Sequence, residues 1–168
     1  MAQLIKNGAP AADTWTTLEL ADGESPESVP LPAGDVIFPL AVWQARKAEI
    51  AARPRIGLQL QSADRVEDVA DDLASFAIIA VHFPKFVDGR GYSTAALLRQ
   101  RYGYTGELRA VGDVLHDQLF FMRRVGFDSY ALKDGKSLPY AIEVGFKPFS
   151  NTYQGATDQA QPYFRRRA

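Results

Sequence analysis

A glycine-containing loop near the middle of the chain carries residue types that bind small anions. Residues 83–94 read FPKFVDGRGYST, and the candidate binding residues are Lys85, Asp88, Gly89, Arg90, Gly91 and Ser93. Glycines let the backbone turn tightly and aim N–H groups at a ligand, while lysine, arginine and serine add positive charge and a hydroxyl. A helix predicted to follow would add free N–H donors at its start. We therefore predict an anion-binding loop.

The same residues have a purely structural interpretation. Asp88 and Gly89 are typical of a turn, Ser93 is a good helix cap, and Arg90 can pair with Asp88. The pair of glycines at 89 and 91 does not complete a dinucleotide fingerprint, because the third glycine is missing and no strand ends directly before it. Both interpretations of the loop stay open at this point.

Three residues outside the loop are candidates for proton transfer. Asp113 follows a predicted strand and is suited to act as a base, or simply to cap the next helix. His116 lies near the start of that helix, and His82 ends the preceding strand, where a hydrogen-bonded structural histidine is the alternative. If these three side chains faced one another they could hold a metal, but ligands on separate elements cannot be read from sequence. The sequence predicts no metal site.

The spacing of apolar segments predicts the elements that position these residues. Strands are expected to start near residues 35, 56, 77, 108 and 129, so their separations are 21, 21, 31 and 21 residues. Helix-forming segments lie between them, which is typical of repeated βα units and a parallel sheet. Five units cannot close an eight-stranded barrel, so we expect an open or half-barrel-like sheet. The one longer unit holds the 83–94 loop, at the carboxyl ends of the strands where ligands gather.

The ends of the chain differ from this repeat. Residues 4–6 and 14–18 predict a small β-hairpin, followed by an acidic loop, and residues 1–34 carry one lysine against five acids. We predict one domain over 1–168, with the hairpin and loop at 1–34, the βα core at 35–150 and a polar, mobile tail at 151–168. Unpaired edges of a partial barrel would favour a homodimer.

Composition narrows the functional classes. The 168 residues include 19 Lys and Arg, 20 Asp and Glu and no cysteine, and the net charge is -1. No cysteine can ligate a cluster or zinc, and neither nucleic acid nor a membrane is expected as a partner. Residues 84–126 are nevertheless positive, with seven basic and four acidic side chains. Arg99, Arg101 and Arg109 flank aromatic residues there, an arrangement that favours a helix end over an RNA site. The start lacks a signal peptide, and we expect a cytoplasmic protein.

The central motifs resemble a known bacterial family of unknown function. The likeness rests on DGRGYS at 88–93, LLR at 97–99, RYGY at 101–104, GELRAVGDV at 106–114, DQ at 117–118, MR at 122–123 and GFD at 126–128, with IKNG at 5–8 and VIFPL at 36–40. Members are commonly labelled as oxidoreductases probably involved in sulfite reduction, and are usually encoded beside the assimilatory sulfite reductase hemoprotein. The resemblance carries no established catalytic residues to this chain.

The resemblance implies a role in assimilatory sulfite reduction, and the residues constrain that role. Without cysteine the chain is a poor electron carrier, which favours an accessory protein that binds a small anion or the reductase hemoprotein. The cofactor is unknown, although a flavin phosphate at Gly89 and Gly91 is a candidate. The alternative is a stand-alone enzyme for a small phosphorylated or carboxylated metabolite, in which Arg90 clamps the anion, Asp113 is the base and His82 or His116 assists.

Overall fold

The computed structural model describes residues 3–166 and has a mixed α/β architecture built on one curled, half-barrel sheet. Eight strands lie in the order β2-β1-β8-β7-β6-β5-β4-β3. The strands are β1 (Gln3–Lys6), β2 (Ala9–Ala12), β3 (Thr16–Thr17), β4 (Val36–Pro39), β5 (Ile56–Leu60), β6 (Ile78–Phe83), β7 (Glu107–Gly112) and β8 (Ser129–Tyr130). Strands β3 to β8 pair in parallel, whereas β1 is antiparallel to both β8 and β2.

Helical segments connect the parallel strands, as the spacing predicts. The helices are α1 (Leu40–Ile50), α2 (Arg90–Ala96), α3 (Leu119–Val125) and α4 (Leu138–Val144). A π-helical turn, Leu97–Arg101, extends α2, and 3₁₀ segments cover Val66–Ser75, His116–Gln118 and Tyr163–Arg165. The α/β class and the half-barrel-like parallel sheet are confirmed. No helix among the residues described is long and apolar enough to cross a membrane.

All the connecting helices pack on one face of the sheet. Alternate strand residues such as Phe38, Leu58, Val81 and Leu108 join this core, together with Trp43 of α1. The other alternate positions form what we call the helix-free face, made by Ile37, Gly57, Gln59, Ile78, Ala80, His82, Glu107, Arg109 and Val111. Because strand side chains alternate between faces, every polar side chain within β5 to β7 lies on this second face.

The N-terminal hairpin prediction is wrong in its second strand. Asn7 and Gly8 have φ values of 51° and 78°, the left-handed conformation that a two-residue hairpin turn requires, so β1 pairs with Ala9–Ala12 instead of 14–18. The chain then crosses the helix-free face, where Trp15 packs on Ile37, Ile78 and Ala80. Thr16–Thr17 joins the opposite edge of the sheet beside β4.

The 3₁₀ segment Val66–Ser75 and helix α2 begin without a side-chain cap. The second helical segment begins at Val66, after Asp64 has closed a turn by accepting the Gln61 backbone N–H at 2.7 Å. Ser93 lies inside α2 and does not cap it. The C-terminal segment contacts α3, since Arg124 donates to the Gln154 carbonyl at 2.5 Å and approaches Asp158 at 3.6 Å; its mobility stays a prediction.

Candidate functional site at the carboxyl edge

The carboxyl ends of the parallel strands meet at one edge of the sheet. Strand β5 ends at Leu60, β6 at Phe83 and β7 at Gly112, and the connections that follow them carry most of the candidate residues. Parallel strands that lie side by side in the sheet place these connections next to one another. This edge is therefore the place to test whether the predicted site residues come together.

Arg90 is held in a fixed orientation at this edge. Its Nε and Nη2 donate to the Asp88 carboxylate at 3.0 and 2.7 Å, and Nη2 also donates to Ser62 Oγ at 2.9 Å. Hydrogen bonds from the Arg90 side chain and backbone hold the pKa of Asp88 well below its usual range. The bond to Asp88 raises the pKa of Arg90. The pairing agrees with the structural interpretation of the loop, yet the arginine side chain stays 62% exposed.

Beside Arg90 lies an open groove of about 410 Å³ between α2 and the connection that follows β5. Arg65 and Arg90 contribute two positive charges, and Asp64 and Glu67 two negative ones, so the lining is formally neutral. Ser62 and Ser93 supply hydroxyls, while Ala63, Val66, Thr94 and Leu97 complete the lining. Arg65 lies 3.8 Å from Glu67, which partly offsets its charge. The charge of Arg90 is offset as well, by Asp88 at 2.7 Å, but its side chain has the fixed orientation that Arg65 lacks.

The two glycines of the loop do not form a phosphate cradle. Gly89 has φ -85°, which any residue can adopt, and a Cβ there would meet no atom within 4 Å. Gly91 is buried, and a Cβ on it would lie 2.5 Å from the Phe83 ring. Its lack of a side chain therefore serves the packing of α2 against β6. These residues do not fit a flavin phosphate.

Asp113 anchors the tip of the 83–94 loop. Its Oδ2 accepts the backbone N–H of Phe86 at 2.9 Å, and its Oδ1 lies 2.8 Å from Lys133 Nζ. The hydrogen bond from Lys133, followed by that from Phe86, lowers the pKa of Asp113. A carboxylate with a lowered pKa is a weaker base. It does not cap the next helical segment, which begins at His116.

The anchored loop presents an apolar tip to solvent. Phe86 is 45% exposed and Val87 is 84% exposed. Lys85 precedes them and is exposed, and its carbonyl accepts the Asp88 N–H at 2.9 Å to close a turn. Exposed apolar side chains on a fixed loop are typical of contact with a partner.

His82 lines a cavity of about 430 Å³, whose lining includes neither Asp113 nor His116. Gln59 and His82 line it from the helix-free face, and Glu19, Gln61 and Asp64 line it from the connections. The imidazole Nδ1 is buried and has no hydrogen-bond partner among residues 3–166. Sequence reasoning found His82 but missed Glu19, which belongs to the acidic N-terminal loop and carries no local motif.

The third proton-transfer candidate, His116, packs against an aromatic ring. The His116 ring packs edge-on against Tyr140 of α4, with 5.1 Å between ring centroids. Over the described range 3–166, no three His, Asp or Glu side chains come together in a metal-binding arrangement. The three proton-transfer candidates therefore do not assemble into one site.

Two of the three central arginines are bound within the protein. Arg99 donates to the carbonyls of Tyr104, Gly106 and Gly126, and pairs with Asp128 at 2.9 Å. The other, Arg109, is only 4% exposed and sits on the helix-free face between Glu107 and Asp13, each at 2.9 Å. Asp13 is 96 residues away in sequence, and no local pattern could reveal that contact.

Comparison with known proteins places the chain in a family. Neither the curated proteins nor the solved structures include a match. The family model described as bacterial protein of unknown function, DUF934, matches residues 57–164, which is more than half of the chain. The match covers β5 except for its first residue, β6 to β8 and the whole 83–94 loop. The chain belongs to this family of bacterial proteins of unknown function, DUF934.

Proposed function

We propose that the protein is a cytoplasmic accessory protein of assimilatory sulfite reduction, and that it binds a small oxyanion such as sulfite in the groove beside Arg90. The observation that carries the proposal is the fixed guanidinium of Arg90, held by Asp88 and Ser62 and largely exposed. Within residues 3–166 its Nη1 has no hydrogen-bond partner, so the guanidinium keeps donors for an oxyanion.

The hydroxyls of the groove complement this guanidinium. Ser62 already touches Arg90, and Ser93 lines the same groove one helical turn later. An oxyanion of three or four atoms needs several donors around it, and the groove offers a guanidinium with two hydroxyls. The lining is formally neutral and Asp88 adds a negative charge beside Arg90, so we expect hydrogen bonds, and not net charge, to hold the anion.

The role in sulfite reduction rests on the family label, and the chain's composition supports an accessory role. The chain has no cysteine, so it cannot hold a cysteine-ligated cluster or a redox dithiol. Binding of the substrate anion or of the reductase hemoprotein needs neither. A deletion strain is expected to grow poorly with sulfate or sulfite as sole sulfur source, and normal growth would count heavily against the proposal.

Titration calorimetry with sodium sulfite tests the binding site directly. Charged hydrogen bonds contribute about 1.5–3 kcal/mol, so Arg90→Gln should weaken binding by about tenfold or more. Arg101→Gln is the matched control, because Arg101 is an exposed arginine at the other end of the same helical segment. Equal binding by wild type and Arg90→Gln would refute the site, as would equal weakening by both variants.

The apolar loop tip is our proposed contact with the sulfite reductase hemoprotein. Phe86 and Val87 are exposed while Asp113 fixes the backbone behind them. Co-elution of the two proteins in size-exclusion chromatography should be lost in the double variant Phe86→Ser, Val87→Ser. The tail variant Phe164→Ser, which also removes an exposed aromatic, should co-elute like wild type. The elution volume of the protein alone in the same chromatography tests the homodimer, which stays a prediction.

A second candidate function, a stand-alone enzyme, is favoured by the His82 cavity. Two carboxylates, two amides and an imidazole line a volume large enough for a small metabolite. Because no Lys or Arg among residues 3–166 lines this cavity, the anionic group of a phosphorylated or carboxylated substrate would have to be bound by Arg90 in the neighbouring groove, which shares Asp64 with the cavity. Of the three proton-transfer candidates, only His82 lines this cavity, so it replaces Asp113 as the base we would test. A metabolite panel in a thermal-shift assay should raise the melting temperature of wild type but not of His82→Asn. A panel without any shift would favour the accessory role.

A further inference from the structure

A separate cavity of about 510 Å³ opens at the opposite, amino edge of the sheet. It lies where the Asn7–Gly8 turn meets the start of β8, a junction closed by the Asn7 N–H donating to the Asp128 carbonyl at 2.8 Å. The far wall comes from α4 and the residues after it. No residue of the Arg90 groove or of the His82 cavity lines it, so it is a distinct site.

Three aromatic side chains and one aliphatic side chain form the apolar part of this amino-edge cavity. Phe127 and Tyr130 are almost fully buried at its base, and Phe146 stands 5.3 Å from Tyr130 between ring centroids, at 62°. The Tyr130 hydroxyl donates to the Phe127 carbonyl at 2.7 Å, so its polar atom is satisfied without a ligand. Ile142 completes the apolar surface. Because Phe127, Tyr130 and Phe146 are only 2%, 1% and 7% exposed, a ligand would reach small parts of these rings together with the partly exposed Ile142.

Two cations at the cavity have no carboxylate partner among residues 3–166. The Arg123 guanidinium lies 5.5 Å from the Phe146 ring centroid and donates to the Phe146 carbonyl at 3.2 Å, which leaves other N–H donors free. Lys147 is exposed at the rim. The one carboxylate in the lining, Asp128, is already bound by Arg99 at 2.9 Å and by the Leu108 N–H at 3.0 Å. The cavity therefore has positive charge to offer.

We propose that the amino-edge cavity binds a small aromatic molecule with one negatively charged group, such as an aromatic carboxylate. The ring would lie against Ile142 and the exposed part of Phe146, and the anionic group would meet Arg123 and Lys147. The volume is that of ordinary small-molecule sites, which combine mostly apolar walls with a few convergent polar groups. This ligand is additional to the oxyanion at Arg90 and does not depend on it.

The test uses two fluorescent probes with related ring systems. The aromatic sulfonate 8-anilinonaphthalene-1-sulfonate should bind with one-to-one stoichiometry. Neutral N-phenyl-1-naphthylamine should bind about tenfold or more weakly, because it lacks the charged hydrogen bonds. Near-ultraviolet circular dichroism of each sample establishes that the tertiary structure is intact, since partly folded proteins also bind the sulfonate.

Three variants locate the probe. Ile142→Trp should fill the cavity and abolish sulfonate binding, and Arg123→Gln should weaken it by about tenfold or more. Lys147→Gln keeps the test decisive if Arg123→Gln does not fold, and Lys136→Gln is the control for an exposed lysine elsewhere. Retained sulfonate binding in Ile142→Trp, or equal affinity for the two probes, would overturn the proposal. A dimer that excludes both probes would also overturn it, in favour of a second copy as the occupant.

Discussion

Replacing Gly91 with alanine distinguishes a packing role for this glycine from a ligand-binding role. The new Cβ would lie 2.5, 2.8 and 3.0 Å from three atoms of the Phe83 ring. Carbon atoms pack best at about 3.5–4.0 Å, so the ring or the helix must move by about 1 Å. The ring has little room, because it is 1% exposed and packs against Tyr92 and Phe127 at 5.5 and 5.9 Å between centroids.

The expected cost of the substitution follows from this geometry. Overpacking of a filled core costs about 1–3 kcal/mol. In a chain of this size each kcal/mol lowers the melting temperature by about 2–4 °C, so Gly91→Ala should melt about 2–12 °C below wild type. Gly89→Ala is the matched control: a Cβ there meets nothing within 4 Å, and its stability should stay within about 0.5 kcal/mol of wild type.

The assay combines urea unfolding, followed by circular dichroism, with sulfite titration at a temperature where the variant is folded. Packing alone predicts lower stability for Gly91→Ala and retained sulfite binding by the folded fraction. A Gly91→Ala protein with wild-type stability and no sulfite binding would show that this glycine contacts the ligand, and would refute its packing role.

Three further perturbations probe charge and ionisation. Arg109→Gln should cost up to about 3–5 kcal/mol in urea unfolding, because it leaves the partly buried Asp13 without its cation and Glu107 with Lys6 alone. Burial raises the pKa of Tyr104 and Tyr130, so alkaline absorbance titrations of the folded protein should not show their phenolates. The free energy of unfolding should fall as the pH rises past about 10, because the unfolded chain releases these protons there and the folded protein does not. Lys133→Met should raise the pKa of Asp113 towards its ordinary value in a carboxyl NMR titration, and an unchanged pKa would refute the anchoring role of the lysine.

The βα core was predictable because its signals are local. Each strand is a short apolar run, each connection is rich in helix formers, and the regular separations leave few topologies other than a parallel sheet. The predicted hairpin of residues 4–6 with 14–18 was wrong because the true partner of residues 16–17 is distant in sequence. Thr16–Thr17 is only two residues long, and its partner is β4, so composition alone could not tell a hairpin arm from an edge strand.

In the candidate site, too, contacts between residues close in sequence were predictable and contacts between distant residues were not. The pairing of Asp88 with Arg90 spans two residues and was foreseen as one of two alternatives, whereas the bond from Arg90 to Ser62 spans 28 residues. His82 was singled out, but its cavity combines the chain near residue 19 with the ends of three strands. Contacts of this kind depend on the order of strands in the sheet, which sequence spacing does not specify.

The alternation of polar and apolar residues within the strands could nevertheless have predicted that one face of the sheet carries no helices. Gln59 in β5, His82 in β6, and Glu107 and Arg109 in β7 each alternate with apolar residues whose side chains face the helices. If helices covered both faces of the sheet, these polar side chains would be buried and would need hydrogen-bond partners, so such strands are usually apolar throughout. Their common phase indicates one helix-free face, on which Asp13 completes the ion pairs of Arg109 and His82 lines a cavity. The half-barrel and its polar face are therefore one property: placing every helix on one side leaves the other side free for charge and ligands.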